Sequence, residues 1–222
     1  AIRAVLKAFD PELIEIDTNY KKLAKKQVYS LEEGEFRYHC IQTNKWNWNL
    51  QGENYIFEIK EDITICTGKT LKGFDNIVVN PTIGNVTIKN GGTIEDCIIT
   101  LNTNDNGYYC SIISNGYVDG NNNFEGNIIN CHITLFGYSW INNGDGGIGN
   151  INGGSITLND NTRFYNGSDE NKGYINNCTI TLNIDSDFYN GNGGVGNITS
   201  CFITLEDNSE FLKMCISKKL RV

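Results

Sequence analysis

Proline, methionine and histidine are scarce in this chain of 222 residues, which contains two prolines, one methionine and two histidines. Apolar runs are short, and none approaches the roughly 18 residues of a membrane-spanning helix, so we expect no membrane insertion. Lys and Arg (18) are outnumbered by Asp and Glu (26), which gives a net charge of −8. Because phosphate binding requires clustered basic side chains, this charge argues against a nucleic-acid partner.

Glycine, by contrast, is abundant (24 residues), and five of the glycines begin copies of a repeated phrase. The phrase reads Gly-x-Ile-x-x-Cys-x-Ile-Thr-Leu, and its copies begin at Gly92, Gly126, Gly149, Gly173 and Gly196. The last four copies begin 23, 24 and 23 residues apart. A period in this range is typical of a stacked solenoid.

The phrase alternates, so Cys, Ile and Leu share one face of a strand and Thr lies on the other. The predicted inward columns are Cys97, Cys131, Cys178 and Cys201; Ile99, Ile133, Ile156, Ile180 and Ile203; and Leu101, Leu135, Leu158, Leu182 and Leu205. A second strand is predicted six or seven residues later, at Trp140, Phe164, Phe188 and Phe211. A third begins the phrase, around Ile94, Ile128, Ile151, Ile175 and Ile198. Asn-Gly at 143–144, 166–167 and 190–191 predicts a corner with positive φ.

The pattern continues upstream in weaker form. Tyr55–Phe57 and Ile77–Val79 precede Ile99–Leu101 at steps of 22, and Ile63–Ile65 and Val86–Ile88, 23 apart, occupy the second-strand position with Tyr108-Tyr109. Stacked short strands of this kind predict an all-β, single-stranded parallel β-helix of about seven coils, with three short strands per coil. We predict an N-terminal cap over 1–50, the β-helix over 51–215, and a C-terminal tail or cap over 216–222.

These ladders resemble the right-handed parallel β-helix (pectin-lyase-like) superfamily, which includes pectin and pectate lyases, viral tailspikes and adhesins. The resemblance covers residues 50–215 and is one of repeat architecture. It implies the right-handed winding of the coil.

The eight cysteines are interpreted mainly as buried, unpaired core residues, because four of them stack at the Ile-like position of the repeat. The alternatives are a Cys178–Cys201 disulfide and a soft-metal site, although Cys-x-x-Cys spacing is absent. We therefore expect no metal and no other cofactor. Unpaired thiols favour a virion or a cytoplasmically assembled particle over a secreted protein.

Aromatic residues follow the second phrase, where the sister coils carry polar ones. Tyr138 and Trp140 alternate along this turn, and Tyr165 and Tyr189 lie beside them in later coils, which predicts a sugar-binding platform. The alternative is an inter-subunit contact or plain surface packing. Arg163 occupies the column of Trp140, where it could stack on the indole and pair with Asp187.

Candidate catalytic residues are few. Asp185 and Asp187 share one turn region, and Arg163 lies near it in the preceding coil. Paired carboxylates are the minimum for a glycosidase, whereas polysaccharide lyases use carboxylates with Ca²⁺ and Arg. No second basic residue accompanies Arg163 there, so solvated turn acids are the simpler interpretation. The sequence therefore leaves enzymatic activity open and favours a protein without it.

An insertion separates the first two phrases, which begin 34 rather than 23 residues apart. We place the extra residues near 111–125, as a loop between coils that either carries binding or is a harmless bulge.

Together these features favour a non-enzymatic structural or attachment protein in a larger assembly, such as a virion or capsid component, a fibre or an adhesin. We expect protein partners or self-association, with a glycan as a further candidate ligand. The alternative is a carbohydrate-active enzyme or a glycan-binding module on the side of the β-helix.

Overall fold

A computed structural model describes residues 46–213, apart from 52–53, 61, 73, 75–76, 105, 169 and 207. This part of the chain is all-β and contains no helix. Its twenty strands are β1 (Trp46–Gln51), β2 (Asn54–Ile59), β3 (Ile63–Ile65), β4 (Thr70–Lys72), β5 (Ile77–Val79), β6 (Val86–Asn90), β7 (Thr93–Glu95), β8 (Ile98–Leu101), β9 (Ser111–Asp119), β10 (Asn122–Asn123), β11 (Glu125–Leu135), β12 (Trp140–Asp145), β13 (Ile148–Leu158), β14 (Arg163–Ser168), β15 (Lys172–Asn176), β16 (Thr179–Leu182), β17 (Asp187–Asn192), β18 (Val195–Thr199), β19 (Phe202–Leu205) and β20 (Glu210–Lys213).

All of these strands except β1 and β10 form three parallel faces that wind as a β-solenoid. Face 1 consists of β4, β7, the first halves of β11 and β13, β15 and β18. Face 2 consists of β2, β5, β8, the second halves of β11 and β13, β16 and β19. Face 3 consists of β3, β6, β9, β12, β14, β17 and β20. The prediction of a parallel β-helix with three short strands per coil is therefore confirmed.

The described residues make about six turns, from β4–β6 through to β18–β20, and β2 and β3 form a partial turn before them. The prediction of about seven coils counted that partial turn as a whole one. Residues 1–45 of the predicted cap and all of the predicted tail at 216–222 lie outside the described residues, so both stay predictions.

The core consists of the predicted ladders. Ile99, Ile133, Ile156 and Ile180 pair in register and are at most 2% exposed. The Leu ladder is equally buried from Leu101 to Leu182. Stacking identical side chains about 4.8 Å apart excludes water from the interior.

The cysteines also lie where the repeat predicts them. Cys97, Cys131 and Cys178 are buried and Cys201 is half-buried. Gly154 takes the Cys position in one coil with a φ of 86°. A Cβ at Gly154 would collide with the Cys131 carbonyl oxygen, so no larger residue fits there.

The predicted register is wrong in the first coils. Phe57 pairs with Ile77, a step of 20 rather than 22, and Ile63 pairs with Ile88, a step of 25 rather than 23. Each strand is displaced by two residues, and a displacement of two preserves the alternation of the pattern. Alternation alone could not distinguish the two registers. Tyr108-Tyr109 is not a strand either, because the face 3 strand of that coil is β9.

The insertion is divided between two corners rather than forming one loop at 111–125. Leu101 to Ile112 spans 11 positions where Leu135 to Trp140 spans 5, so six extra residues lie before β9. The other five lie after it, where β9 continues into an antiparallel hairpin with β10. Most of the predicted loop is therefore strand.

A ladder of buried asparagines runs up the corner after face 3, and we call it the asparagine ladder. Its members are Asn90, Asn115, Asn143, Asn166 and Asn190, each at most 6% exposed. Every Nδ2 but the last donates to the Oδ1 of the next member at 2.7 Å. The same nitrogens also donate to backbone carbonyls of face 1. The ladder thus satisfies polar groups inside the core.

Two glycine positions that recur in the repeat lie next to the asparagine ladder, one directly after each ladder member and one at the start of each later phrase. Gly144, Gly167 and Gly191 follow ladder members and have φ of 84°, 72° and 76°, as the Asn-Gly corners predicted. The glycine that begins each later phrase lies directly against a ladder side chain. A Cβ at Gly149, for example, would collide with Asn143 Oδ1.

Candidate functional site

The outward side of face 3 carries two adjacent columns of large side chains. Trp140, Arg163 and Asp187 pair in register in the first column, as predicted. Tyr165 and Tyr189 pair in register in the second. Because alternate residues of a strand point the same way, both columns lie on one surface. We call these five residues the face 3 cluster.

Asp187 is the centre of the contacts in the face 3 cluster. Its Oδ2 lies 3.9 Å from Arg163 Nε and accepts a hydrogen bond from the Tyr189 hydroxyl at 3.1 Å. Burial, helped by that hydrogen bond to Asp187, raises the pKa of Tyr189 above its ordinary value. The phenol therefore stays protonated at neutral pH and is a hydrogen-bond donor rather than a base.

The two tyrosines stack on each other. Their ring centroids are 4.9 Å apart and the planes differ by 9°. Each ring therefore covers one face of the other. A sugar that stacks on an aromatic face has less surface here than the sequence suggested. The predicted stacking of Arg163 on Trp140 is not among the contacts of these described residues.

The three candidate catalytic residues are only partly brought together. Arg163 and Asp187 form the ion pair, whereas Asp185 lies two residues earlier on an exposed turn with a φ of 51°. The Arg163 side chain is 57% exposed, so this pair contributes less than about 1 kcal/mol to stability.

Tyr138 lies apart from the face 3 cluster, on the turn between faces 2 and 3, and is 54% exposed. Phe136 is exposed on the same turn, and the loop before β9 lies beside it. A Cβ at Gly107 would be 3.4 Å from the Tyr138 ring. Next in that loop are Tyr108, 81% exposed, and Tyr109. We call Tyr108, Tyr109, Phe136 and Tyr138 the aromatic corner.

The loop of the aromatic corner is fixed by its own hydrogen bonds. Asn104 Oδ1 accepts from the backbone nitrogens of Tyr108 and Tyr109 at 2.8 and 3.0 Å. Asn104 N donates to the Tyr109 carbonyl at 3.0 Å, and Thr103 and Cys110 form an antiparallel bridge. The tyrosines are therefore held outward by an ordered backbone.

The next coils close the same corner without aromatic residues. Asn159–Asn161 and Asn183–Asp185 occupy the place of Phe136–Tyr138. Asn183 Nδ2 donates to Asn159 Oδ1 at 2.8 Å, and Asn102 pairs in the same way with Asn80. Phe136 interrupts this second row of asparagines, so the solenoid does not need aromatic residues here to close its turn.

Sequence reasoning missed Tyr108 and Tyr109 because it placed them in a strand. The signal that could have located them was the extra spacing between Leu101 and the next inward residues of face 3. Aromatic residues in an insertion do not contribute to the repeat, and so they need another explanation.

Within the described chain, no three His, Cys, Asp or Glu side chains come close enough to hold a metal ion. The same residues include no helix long and apolar enough to cross a membrane.

Comparisons with protein-family models, with curated proteins and with solved structures found no match to this chain.

Proposed function

We propose that this protein is a non-enzymatic structural or attachment component of a larger assembly, such as a virion or capsid component, a fibre or an adhesin. The observation that carries the proposal is the aromatic corner, an exposed apolar surface that the fold does not require. Contiguous exposed apolar surface on a soluble domain usually marks an interaction site. The repeated ladders also support a resemblance to the right-handed, pectin-lyase-like β-helices.

A second exposed apolar feature lies on face 2. Ile98 and Phe202 point outward there, and Phe202 is 71% exposed. His132, Ser155 and Thr179 separate the two along this column, so each is a single exposed apolar side chain. Phe202, the more exposed of the two, suits contact with a second copy or with another protein. The burial of most of the described thiols fits a virion or a cytoplasmically assembled particle.

The test is whether the protein assembles. Light scattering after size-exclusion chromatography should give a mass above the 24.8 kDa of one chain, increasing with concentration. Phe202→Ser should lower that mass, whereas Thr179→Ser, on the neighbouring strand of the same column, should not. A strict monomer at every concentration that is also free of any particle in its native source would refute the proposal.

The alternative is a polysaccharide lyase or glycosidase that uses Arg163, Asp185 and Asp187. The contact that favours it is the Arg163–Asp187 ion pair on an open surface. A panel of uronic-acid and neutral polysaccharides, with and without Ca²⁺, decides between the two. We expect no turnover; turnover that is lost in Asp187→Asn and Arg163→Ala would establish the enzyme instead.

A further inference from the structure

We propose that the aromatic corner is a binding site for a neutral carbohydrate. The inference rests on the proposed attachment role and specifies the chemistry of what is attached. It moves the glycan site away from the face 3 cluster and includes Tyr108, which that cluster does not contain.

The side chains of the aromatic corner are exposed to solvent. Tyr108 and Tyr138 are 81% and 54% exposed, and Phe136 and Tyr109 are exposed beside them. Four aromatic rings in water at one corner lose the stabilisation that burial would give them. The sister corners are built from Asn, Asp and Ile, so the fold itself does not select the rings.

Hydrogen bonds fix the backbone that carries Tyr108 and Tyr109 before any ligand binds. Asn104 holds the backbone of Tyr108 and Tyr109, and Gly137, with a φ of 63°, lies under Thr103 so closely that a Cβ would collide with its side chain. The insertion is therefore packed against the turn that carries Tyr138. Backbone that is already hydrogen-bonded at Tyr108 and Tyr109 loses less conformational entropy when a ligand binds, which favours recognition by few contacts.

The chemistry of the residues indicates the ligand class. Tyrosine offers an apolar ring and a hydroxyl that donates and accepts, which matches a sugar with C–H faces and hydroxyl edges. Residues 102–110 and 136–139 contain no Lys or Arg, and the chain carries a net charge of −8. An acidic sugar would find no cation here, so the ligand is uncharged.

The available ring surface distinguishes this site from the face 3 cluster. Tyr165 and Tyr189 cover each other in their stack, whereas no ring stacking involves Tyr108 or Tyr138 among the described residues. Exposed rings at the aromatic corner can offer the surface on which a pyranose packs.

The experiment is affinity electrophoresis in gels that contain dextran, mannan, galactan or xylan, with polygalacturonate and alginate as acidic comparisons. A retarding polysaccharide is then titrated by calorimetry as an oligosaccharide. We expect retardation by at least one neutral polymer. Tyr108→Ala and Tyr138→Ala should each weaken binding roughly three- to tenfold, and the double variant more than tenfold.

Two matched variants serve as controls. Tyr108→Phe keeps the ring and should stay within about threefold of the parent affinity. Tyr165→Ala removes an aromatic ring from the face 3 cluster and should leave the affinity unchanged. Because Tyr108 and Tyr138 are exposed, their variants should keep the parent far-UV spectrum and melting temperature.

Three results would overturn the inference: no retardation by any neutral polymer, binding that both alanine variants leave intact, or preference for the acidic polymers. The assembly state of the same variants separates this inference from the proposed function. A protein that binds neutral glycan as a permanent monomer contradicts the assembly but supports this site. A protein that assembles but binds no neutral polymer supports the assembly and contradicts this site.

Discussion

Replacing Asn143 by alanine tests the asparagine ladder. Asn143 is 1% exposed. Its Nδ2 donates to Asn166 Oδ1 at 2.7 Å and to the Tyr174 carbonyl at 3.2 Å, and its Oδ1 accepts from Asn115 Nδ2 at 2.7 Å. Asn143→Ala removes these three hydrogen bonds. At about 1 kcal/mol each, the free energy of unfolding should fall by about 3 kcal/mol.

The matched control is Asn183→Ala in the half-buried second row of asparagines. Asn183 Nδ2 makes one side-chain hydrogen bond there, at 2.8 Å to Asn159 Oδ1. Water can replace the lost partner at this site, so we expect a decrease of only about 0.5–1 kcal/mol. Urea unfolding followed by far-UV circular dichroism measures both variants.

An acidic replacement adds a test of burial. Asn143→Asp places a carboxylate oxygen against Asn166 Oδ1, an acceptor, at a buried position. Burial raises the folded-state pKa of the introduced carboxyl above its unfolded value of about 3.9. The variant should therefore be least destabilised below about pH 4 and lose stability as the pH rises through the folded-state pKa.

Equal losses for Asn143→Ala and Asn183→Ala would refute the reasoning, since the ladder would then contribute no more than a surface row. A flat pH profile for Asn143→Asp would show that water reaches the ladder.

Three further predictions concern other parts of the core. Ser186→Ala should leave the free energy of unfolding unchanged or raise it, because the buried Ser186 hydroxyl has no hydrogen-bond partner in the described structure. Gly149→Ala should lower it by about 3 kcal/mol, since its Cβ would collide with Asn143 Oδ1. Among the six described cysteines, maleimide at pH 8 should label the exposed Cys66 first and Cys178 last, because burial raises the pKa of Cys178 to about 12; peptide mass spectrometry measures the order.

Each of these has an internal control. Ser111 occupies the same column as Ser186, but its hydroxyl donates to the Val79 carbonyl at 3.0 Å, so Ser111→Ala should cost about 1 kcal/mol or more. Gly120 has open space around its Cβ position, so Gly120→Ala should cost less than Gly149→Ala. Equal costs within either pair, or labelling of Cys178 as fast as Cys66, would contradict the corresponding prediction.

The core ladders could be predicted because the same residue recurs at the same position of each repeat. Ile99, Ile133 and Ile156 recur within an identical phrase, so chemical identity and spacing together define which residues stack. In the first coils only alternation remains. A displacement of two residues preserves alternation, and for that reason the pairing of Phe57 with Ile77 could not be found.

The asparagine ladder was overlooked because asparagine before glycine is typical of a turn. The corner prediction was correct, but the side chain of Asn143 points inward and bonds to the next coil. The same Asn-Gly pair at 90–91 and 115–116 was the available signal, since a turn alone does not require asparagine in five successive coils.

For the candidate site, the sequence predicted which residues share a column but not how their side chains are oriented. Trp140, Arg163 and Asp187 fall in one column as expected from their spacing. The direction in which Tyr165 and Tyr189 stack depends on side-chain rotation, which spacing does not encode. The aromatic corner depends on how an insertion packs, and the repeat carries no information about that.

Each member of the asparagine ladder except Asn190 donates its Nδ2 to the Oδ1 of the member in the next coil. A coil such as 149–172 therefore accepts from the coil before it the same ladder hydrogen bond that it donates to the coil after it. Duplicating or deleting one such unit in the gene would leave every other junction intact and change the length by about 4.8 Å. The length of the solenoid can thus change by one coil at a time while the asparagine ladder stays continuous.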